Sequence, residues 1–452
     1  MRFDNSEPCS VSQLDLLSMP STQSVLNHGV WTEIVADGDY QSGSVIFKIV
    51  GDDNFLDLSE NELILQVSIR KEDNIDATKS SPLLRTDKIG PINNFISSIF
   101  SQCQVSISGK EVENSNATYP FRAYLENLTN YDHGAKNSWL QTELFYKDEA
   151  GRFDSTNLET IPEEKNDQGV VTKHAIPPNL GYIKRRKIFE EGQIVELKGK
   201  LHSNMFNINK YILSKTNIEV KLSRSKSSFC LFGDDSADKF KIHIHSARLR
   251  VRKVEVNASI ANTINTALET KNAIYPYKHV EMRTATISVD SQKVELQNLH
   301  DGIVPNLLIV AMIDTDAFSG KHNKNPFNFK HYNVTEMLPQ VGGINMPYSN
   351  SLQFDFEKGN YCEAYNTLFK SIAEFPNDIS YSEYSRGNSI FAFKFTPDLC
   401  NNSHFNDSDS GKLTLKITFK ENLRHPVTLI AYMEFDNVLQ LTKGRVPIIN
   451  PI

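Results

Sequence analysis

Cysteine is scarce in this chain, and the few cysteines present are not arranged in pairs. Five of them are spread across 452 residues, each far from the next: Cys9, Cys103, Cys230, Cys362 and Cys400. An odd number at such wide spacing indicates neither a disulfide framework nor a zinc site. We therefore expect the cysteines to be reduced.

Long apolar runs and an excess of positive charge are also missing. No stretch approaches the roughly 20 apolar residues that a membrane-spanning helix needs, and residues 1–20 lack the apolar core of a signal peptide. Lys and Arg total 48 against 55 for Asp and Glu, which gives a formal net charge of -7. We expect a soluble protein made in the cytosol, which binds nucleic acid at most through a local patch.

Sequence signatures of catalysis are missing as well: there is no glycine-rich phosphate loop, no GxSxG turn and no HExxH helix. His243 and His245 have same-face spacing on a predicted strand, but no third metal ligand follows at a suitable spacing. Asp314 and Asp316 resemble an acid–base pair, although aspartates at the exit of a strand more often cap backbone amides. We expect no catalytic residue, no cofactor and no metal ion.

Two groups of basic residues have alternative interpretations. The dense run Lys-Arg-Arg-Lys at residues 184–187 suits a nuclear import signal or a nucleic-acid contact, but a solvated loop end is the favoured interpretation. Arg248, Arg250 and Arg252 alternate on a predicted strand. They face either packaged DNA or, as we favour, solvent on an edge or outer face of a sheet.

The dominant signal in the sequence is that of β-strands. Apolar side chains recur at every second position in residues 63–69, which is the period of a half-buried strand. Further strands are predicted at residues 44–50, 104–110, 188–197, 218–222, 240–256, 280–289, 307–313, 390–395, 413–419 and 427–441. Residues 104–110 are interpreted as one arm of a hairpin with Gly109 at the turn. Short helices are predicted at residues 91–100, 119–130 and 361–372.

Landmark residues recur in the same order in the two halves of the chain. The matched sets are Pro91 and Gly109 with Pro326 and the pair Gly342-Gly343, Tyr119 and Tyr124 with Tyr361 and Tyr365, and residues 202–207 with residues 402–406. Three matches in register indicate a duplicated β-domain. Units of about 170 to 230 residues fit double-sheet jelly rolls better than immunoglobulin sandwiches of about 100 residues.

The predicted fold is all-β, with two tandem antiparallel jelly-roll sandwiches and short helices in loops. The predicted divisions are an N-terminal arm at 1–28, a first jelly roll at 29–256 with a polar insert at about 147–183, a linker helix at 257–274, a second jelly roll at 275–442 and a C-terminal tail at 443–452. The insert is expected to be a long surface excursion. The apolar tail, with two prolines, is expected to dock on its own chain or on a neighbouring subunit, with neither favoured.

Several motifs resemble those of a known family. They are GPINNFISSIFSQCQVSISGK at 90–110, TYPFRAYLENL at 118–128, NPFNFKH at 325–331 after DAF at 316–318, and TPDL at 396–399 before HFN at 404–406. Together they resemble the major capsid proteins of Polinton/Maverick elements and adintoviruses. The resemblance runs in order from about residue 13 to residue 435, and it is weakest in the polar stretch after Asp154.

The resemblance implies a structural role in a virion. It implies a homotrimer that forms a pseudo-hexameric capsomer, and capsomers that tile an icosahedral shell around a DNA genome. The implied partners are neighbouring capsomers, a single jelly-roll penton protein and minor capsid proteins, with at most weak contact to packaged DNA. Synthesis is expected in the host cytoplasm, with the host nucleus as a candidate place of assembly.

Two other functions remain open from the sequence. The first is a two-jelly-roll protein that binds or cleaves glycans, for which a cleft with two carboxylates between the jelly rolls would be the distinguishing feature. The second is a capsid-derived protein retained by a cellular host, which has the same sequence pattern as a working capsid protein.

Overall fold

The computed structural model describes residues 12–14, 16–17, 19–40, 43–72, 80–166, 171–234, 239–372, 377–399, 404–407 and 409–449. Cys9 and Cys400 lie outside these ranges, as do residues 401–403 and residues 450–452. The third predicted landmark match and the end of the tail are therefore described only in part.

The elements of the first half are bounded as follows. The strands are β1 Leu26–Val35, β2 Ser44–Ile49, β3 Phe55–Glu72, β4 Ser80–Pro82, β5 Ile89–Pro91, β6 Phe100–Ile107, β7 Lys110–Asn114, β8 Glu164–Lys165, β9 Val171–Lys173, β10 Val195–Gly199, β11 Ile218–Arg224, β12 Leu231–Gly233 and β13 Phe240–Val256. The α-helices are α1 Phe95–Ser98, α2 Tyr119–Asn130, α3 His133–Lys136, α4 Leu180–Lys187 and α5 Ser227–Cys230. Short 3-10 helices span Ser12–Leu14, Trp139–Glu143, Glu190–Gly192 and Met205–Asn207.

Helix α6, Ala258–Ala267, leads into the second half. The strands there are β14 Ala273–Ile287, β15 Lys293–Ile303, β16 Leu307–Asp314, β17 Val334–Val341, β18 Ile344–Asn345, β19 Leu352–Gln353, β20 Ile390–Lys394, β21 Ser410–Phe419, β22 Val427–Leu441 and β23 Pro447–Ile449. The helices are α7 Thr315–Ser319, α8 Cys362–Ser371 and α9 Tyr381–Tyr384.

Each half contains two antiparallel sheets whose strands follow the same path. The sheets of the first half have the orders β1-β13-β3-β10 and β2-β11-β6-β7, and those of the second half have the orders β14-β22-β16-β20 and β15-β21-β17-β18. Each strand of these first-half paths has a counterpart at the same place in the second half. Two sheets whose main paths have four strands in this crossing order make a jelly roll, so the chain is a double jelly roll.

Alternating burial explains why these segments are strands. In β11, Ile218, Val220 and Leu222 are buried, whereas Glu219 is exposed and Lys221 is half-buried. One face of the strand therefore lines the core and the other faces outward, as its period of two predicted. The predicted strands at 218–222, 240–256 and 427–441 are confirmed, and so is the predicted helix at 119–130.

The hairpin landmarks are confirmed as equivalent turns. Ser108 and Gly109 join β6 to β7 with φ values of 50° and 81°, and Gly342 and Gly343 join β17 to β18 with φ values of 57° and 85°. Two successive residues with positive φ make the tight turn whose twist suits an antiparallel pair. Glycine is favoured here because it has no Cβ to clash in the left-handed region.

Three predictions about local structure need correction. The helix predicted at 91–100 is shorter, since Pro91 lies in β5 and only Phe95–Ser98 is helical. The strand predicted from residue 188 starts at Val195, because helical turns occupy the chain before it. Strand β13 changes face at a bulge between Ile244 and Ser246, which the even alternation did not predict.

Candidate functional site at the junction of the two jelly rolls

Helix α4 holds the most deeply buried cation among the described residues, and it comes from the predicted basic run. Arg185 is fully buried; its Nη2 donates to Asp148 Oδ1 at 2.7 Å, and its other nitrogens donate to the carbonyls of Tyr146 and Pro91. Arg186 is also buried and pairs with Glu190. The interpretation of residues 184–187 as a solvated loop end is therefore wrong, and only the two lysines are exposed.

The polar insert is bound to the second jelly roll, so it is more than a surface excursion. Asn325 donates through Nδ2 to Asp148 Oδ2 at 3.1 Å and through its backbone N–H to Asp154 Oδ1 at 2.8 Å. Asn179, which caps α4, donates to Asp148 Oδ1 at 2.9 Å. The Asp148 carboxylate thus joins the insert, helix α4 and the second jelly roll. Burial of this kind stabilises only when the charge is both paired and hydrogen-bonded.

Aromatic side chains from both halves meet beside this network. The rings of Tyr124, in α2, and Phe327, in the second jelly roll, stack 4.0 Å apart and 6° from parallel. Phe121 stacks on Phe318 at 5.2 Å. Both members of each pair carry large apolar area, and stacked rings add to the free energy gained by burial.

An acidic residue of the second half closes the junction at its rim. Asp378 accepts from Lys136 at 2.5 Å and lies 3.4 Å from Lys147, which also donates to Glu383 at 2.9 Å. Burial opposes ionisation of Asp378, but the charges of Lys136 and Lys147 outweigh it and lower the pKa of this carboxyl. Two lysines of the first half are thus paired with two carboxylates of the second half.

A second buried group, the junction cluster, consists of Glu113, Arg122, Glu126 and His202. Arg122 donates to Glu113 and to Glu126 at 2.8 Å each, and His202 Nδ1 lies 2.6 Å from Glu126 Oε2. Burial opposes ionisation of Glu126, yet Arg122 and His202 hold its pKa at about 2. A carboxylate held in this way stays charged at every pH the folded protein meets above that value.

The junction cluster is linked to the second jelly roll through its neighbour Asn204. The Asn204 side chain donates to His279 Nδ1 at 3.2 Å and accepts from the Val280 backbone N–H at 3.0 Å. Both partners lie in β14. The two jelly rolls are therefore joined by specific polar contacts as well as by apolar packing.

The described part of the tail docks on its own chain. Strand β23 pairs antiparallel with β22, with Ile449 opposite Leu439. Lys110 of the first jelly roll donates to the Pro447 carbonyl at 3.2 Å, and Arg445 donates to the Ser214 carbonyl at 2.9 Å. The sequence left open whether the tail docks on its own chain or on a neighbouring subunit. Residues 445–449 dock on their own chain.

A cleft of about 770 Å³ opens between the insert and the second jelly roll. Its lining contains one carboxylate, that of Asp154, which accepts from Asn325, from Asn328 Nδ2 at 2.7 Å and lies 3.7 Å from Lys330. Glycoside cleavage by the common mechanism requires two carboxylates on opposite sides of the bond. The described lining does not supply such a pair.

The two aspartates considered from the sequence as an acid–base pair both contact lysines. Asp314 makes no side-chain cap on α7, so the predicted capping role is wrong. Its carboxylate instead accepts from Lys324, Lys330 and Tyr332. Burial opposes ionisation of Asp314, but these three donors outweigh it and lower its pKa to about 2. Asp316 is exposed and pairs with Lys321 at 3.3 Å. No described group of three His, Cys, Asp or Glu residues is placed to hold a metal ion.

The arginines of β13 lie on the outer face of a central strand, between β1 and β3. Arg250 donates to Glu33 at 2.9 Å, and Arg248 pairs with Glu33 and with Glu196 at 3.1 Å. Arg252 pairs with Asp57 at 3.1 Å. Their charges are thus neutralised within the first jelly roll, in keeping with the solvent-face interpretation.

Known proteins share this fold over nearly their full lengths. A chain of the Sputnik virophage aligns with a TM-score of 0.60 and 11% identity, covering 99% of this chain and 93% of the other. The mavirus major capsid protein aligns with a TM-score of 0.53 and 12% identity, covering 100% of this chain and 96% of its own. The faustovirus major capsid protein aligns with a TM-score of 0.54 and 8% identity, covering 95% and 93%.

In sequence, an uncharacterised protein of Caenorhabditis elegans is 22% identical over 447 residues, covering 96% of this chain and 100% of its own length. No protein-family model matches the chain. None of the described helices is long and apolar enough to cross a membrane. The chain is thus a double jelly roll, the fold that these solved capsid structures share.

Proposed function

We propose that the chain is a major capsid protein that homotrimerises into a pseudo-hexameric capsomer. The observation that carries the proposal is the pair of jelly rolls with identical strand order, joined through ion pairs such as Lys136–Asp378. Three copies of a two-lobed chain present six similar lobes, and six lobes tile a surface hexagonally although the block has only threefold symmetry. The mavirus and faustovirus likenesses support this role.

Threefold closure requires one face of the chain to bind a different face of its neighbour. Two similar but unequal jelly rolls supply such unlike faces. Stable subunit contacts of this type usually bury about 2,000 Å² or more. Contacts between capsomers can bury a smaller area, because each contact is repeated many times in a shell. A rigid junction within the chain favours this arrangement, since a flexible one would add an entropic cost to closure.

In the proposed role the chain acts as a structural protein of an icosahedral shell around a DNA genome and not as an enzyme. Its proposed partners are neighbouring capsomers, a single jelly-roll penton protein and minor capsid proteins. The pairing of Arg248, Arg250 and Arg252 with carboxylates supports at most weak contact with packaged DNA. The proposed location is the virion, after synthesis in the host cytoplasm and with the nucleus as a candidate place of assembly.

The test is the native mass of the purified full chain, measured by light scattering, together with negative-stain electron microscopy. We expect a mass of three chains and six-lobed particles. A chain that stays monomeric at high concentration, with its fold verified by circular dichroism, would contradict the proposal.

A second candidate is a capsid-derived protein retained in a cellular genome. The observation that favours it is the nematode relative, which matches this chain along its entire length. An integrated element of the Polinton/Maverick or adintovirus type fits the same observation. Expression in cells distinguishes the two: particles that protect DNA from nuclease support a working capsid, and capsomers that never enclose DNA support a retained protein with another use.

A further inference from the structure

The cleft between the insert and the second jelly roll is a built feature of the fold. Phe153 of the insert is buried against Gly387, whose φ is 112° and where any Cβ would overlap the Phe153 ring. The backbone N–H of Gly151 donates to the Arg386 carbonyl at 2.7 Å. These contacts fix one wall of the cleft against the other, so its lining is preorganised.

Two guanidinium groups line this cleft without a carboxylate partner. Arg152 is half-buried, and its side chain has no hydrogen-bond or ion-pair partner among the described residues. Arg386 is exposed and donates only through Nε, to the Ser382 carbonyl at 2.9 Å. Most other arginines at this junction, such as Arg185, are paired. Two guanidinium groups without carboxylate partners in one cleft are suited to binding planar carboxylates or tetrahedral sulfates.

The other charged side chains of the cleft, Asp154 and Lys330, already have partners. Asp154 accepts from Asn325 and Asn328, and Lys330 donates to Asp314 at 2.9 Å. Asp154 keeps its negative charge, but its oxygens are engaged by these donors and Oδ2 lies 3.7 Å from Lys330. Among the charged residues that line the cleft, three are cations (Arg152, Lys330 and Arg386) and one is a carboxylate, so the lining carries an excess of positive charge.

Neutral donors and acceptors complete the lining. His331 Nδ1 accepts from the Asn333 backbone N–H at 3.0 Å, which leaves the proton on Nε2, and its ring stacks on Phe356 at 4.1 Å. The side chains of Ser155 and Asn157 hydrogen-bond to no described residue. A hydroxyl and an amide both donate and accept, as sugar hydroxyls do.

We propose that this cleft binds an acidic oligosaccharide whose sulfate or carboxylate groups pair with Arg152 and Arg386 and whose hydroxyls bind Ser155 and Asn157. A cleft of about 770 Å³ accommodates a short segment of such a chain. This binding goes beyond the proposed shell function, and it does not require assembly, because the whole cleft is formed by one chain. The protein has an overall charge of -7, so it does not attract anions in general. Binding of an acidic sugar would therefore indicate a specific site.

The test is fluorescence anisotropy of the full chain with a labelled heparin hexasaccharide at physiological salt. We expect saturable binding of the sulfated sugar and much weaker binding of its desulfated counterpart. The double variant Arg152→Ala/Arg386→Ala should weaken binding by about tenfold or more, since two charge-assisted contacts are lost. The matched control is Arg424→Ala, at an exposed arginine of the second jelly roll that does not line the cleft.

Each other outcome would overturn the inference. Equal loss in Arg424→Ala would mean diffuse surface attraction, and unchanged binding in the double variant would place the sugar elsewhere. A hexaglutamate peptide that binds as tightly as the sugar would make the cleft a site for an acidic peptide. The native mass of each variant is measured in parallel, so failure to trimerise is read separately from failure to bind.

Discussion

Arg185 and Asp148 form an ion pair at 2.7 Å in which the side chains are 1% and 0% exposed. The pair ties helix α4 to the insert, and Asp148 in turn accepts from Asn325 of the second jelly roll. Removing water from two charges is costly, and the cost is offset because Arg185 also donates to two carbonyls and Asp148 also accepts from Asn179 and Asn325. The junction is therefore intolerant of losing one partner.

Substitution of Arg185 by Met should be strongly destabilising, since it leaves the Asp148 carboxylate buried without its cation. We expect a loss of about 3–5 kcal/mol in the free energy of unfolding. Denaturant unfolding followed by circular dichroism measures it. The control is Arg85→Met, at an exposed pair with Glu191, for which about 1 kcal/mol or less is expected. Similar losses in both variants would show that burial of the pair does not matter.

Acid should weaken the fold through the junction cluster. The folded pKa of Glu126, about 2, lies below its ordinary value of 4.5. Ionised Glu126 therefore adds about 3 kcal/mol to the free energy of unfolding above about pH 5. This contribution is lost as the pH falls toward 2.

The measurement for Glu126 is the urea midpoint at several pH values between 2 and 7. Glu126→Gln should be less stable than the original chain at neutral pH, and its stability should fall less steeply with acid. The control, Glu421→Gln, changes a carboxylate whose side chain is 65% exposed and should leave the slope unaltered. If the stability of Glu126→Gln fell with acid as steeply as that of the original chain, Glu126 would not be the source of the acid sensitivity.

Gly387→Ala should lower the unfolding free energy through both strain and overlap. The residue has a φ of 112°, and a Cβ there would overlap the Phe153 ring. Gly343→Ala is the matched control, because Gly343 also has a positive φ, 85°, but no heavy atom lies within 4 Å of its Cβ position. We expect about 1 kcal/mol for the control and at least about 2 kcal/mol for Gly387. Equal losses would mean that the cleft wall is not tightly packed.

The Tyr124–Phe327 stack should contribute beyond its buried area. Phe327→Ala is expected to cost about 3–5 kcal/mol, as for other buried aromatic residues. A double-mutant cycle with Tyr124→Leu should give a coupling of about 0.5–1.5 kcal/mol. Additive losses within error would show that the rings pack independently.

Much of the fold could be predicted from local patterns. The alternation in β11 and the glycine turns at Gly109 and Gly342 specify strands and hairpins from neighbouring residues alone, and both were confirmed. Strands β15 and β17 were missed because their burial is less regular or is interrupted by a bulge. The bulge in β13 has no sequence signal of its own.

The junction was harder to predict. Arg122 and Glu126 have helical i,i+4 spacing among the aromatic and aliphatic residues of helix α2, which is a usable signal of a buried ion pair. No comparable signal marks Arg185, which lies in a run that looks solvent-exposed. Its burial follows from contacts with residues such as Pro91 that are distant in sequence.

The sequence by itself determined the all-β class, the duplicated order of landmarks and the hairpin turns, because each depends on side-chain period or on glycine near the turn. Only the tertiary structure decided which charges are buried and how the two jelly rolls are joined. Lys136 and its partner Asp378 are 242 positions apart. A pairing over that distance is set by how the sheets pack, since an ion pair needs only proximity in space and leaves no periodic trace in the chain.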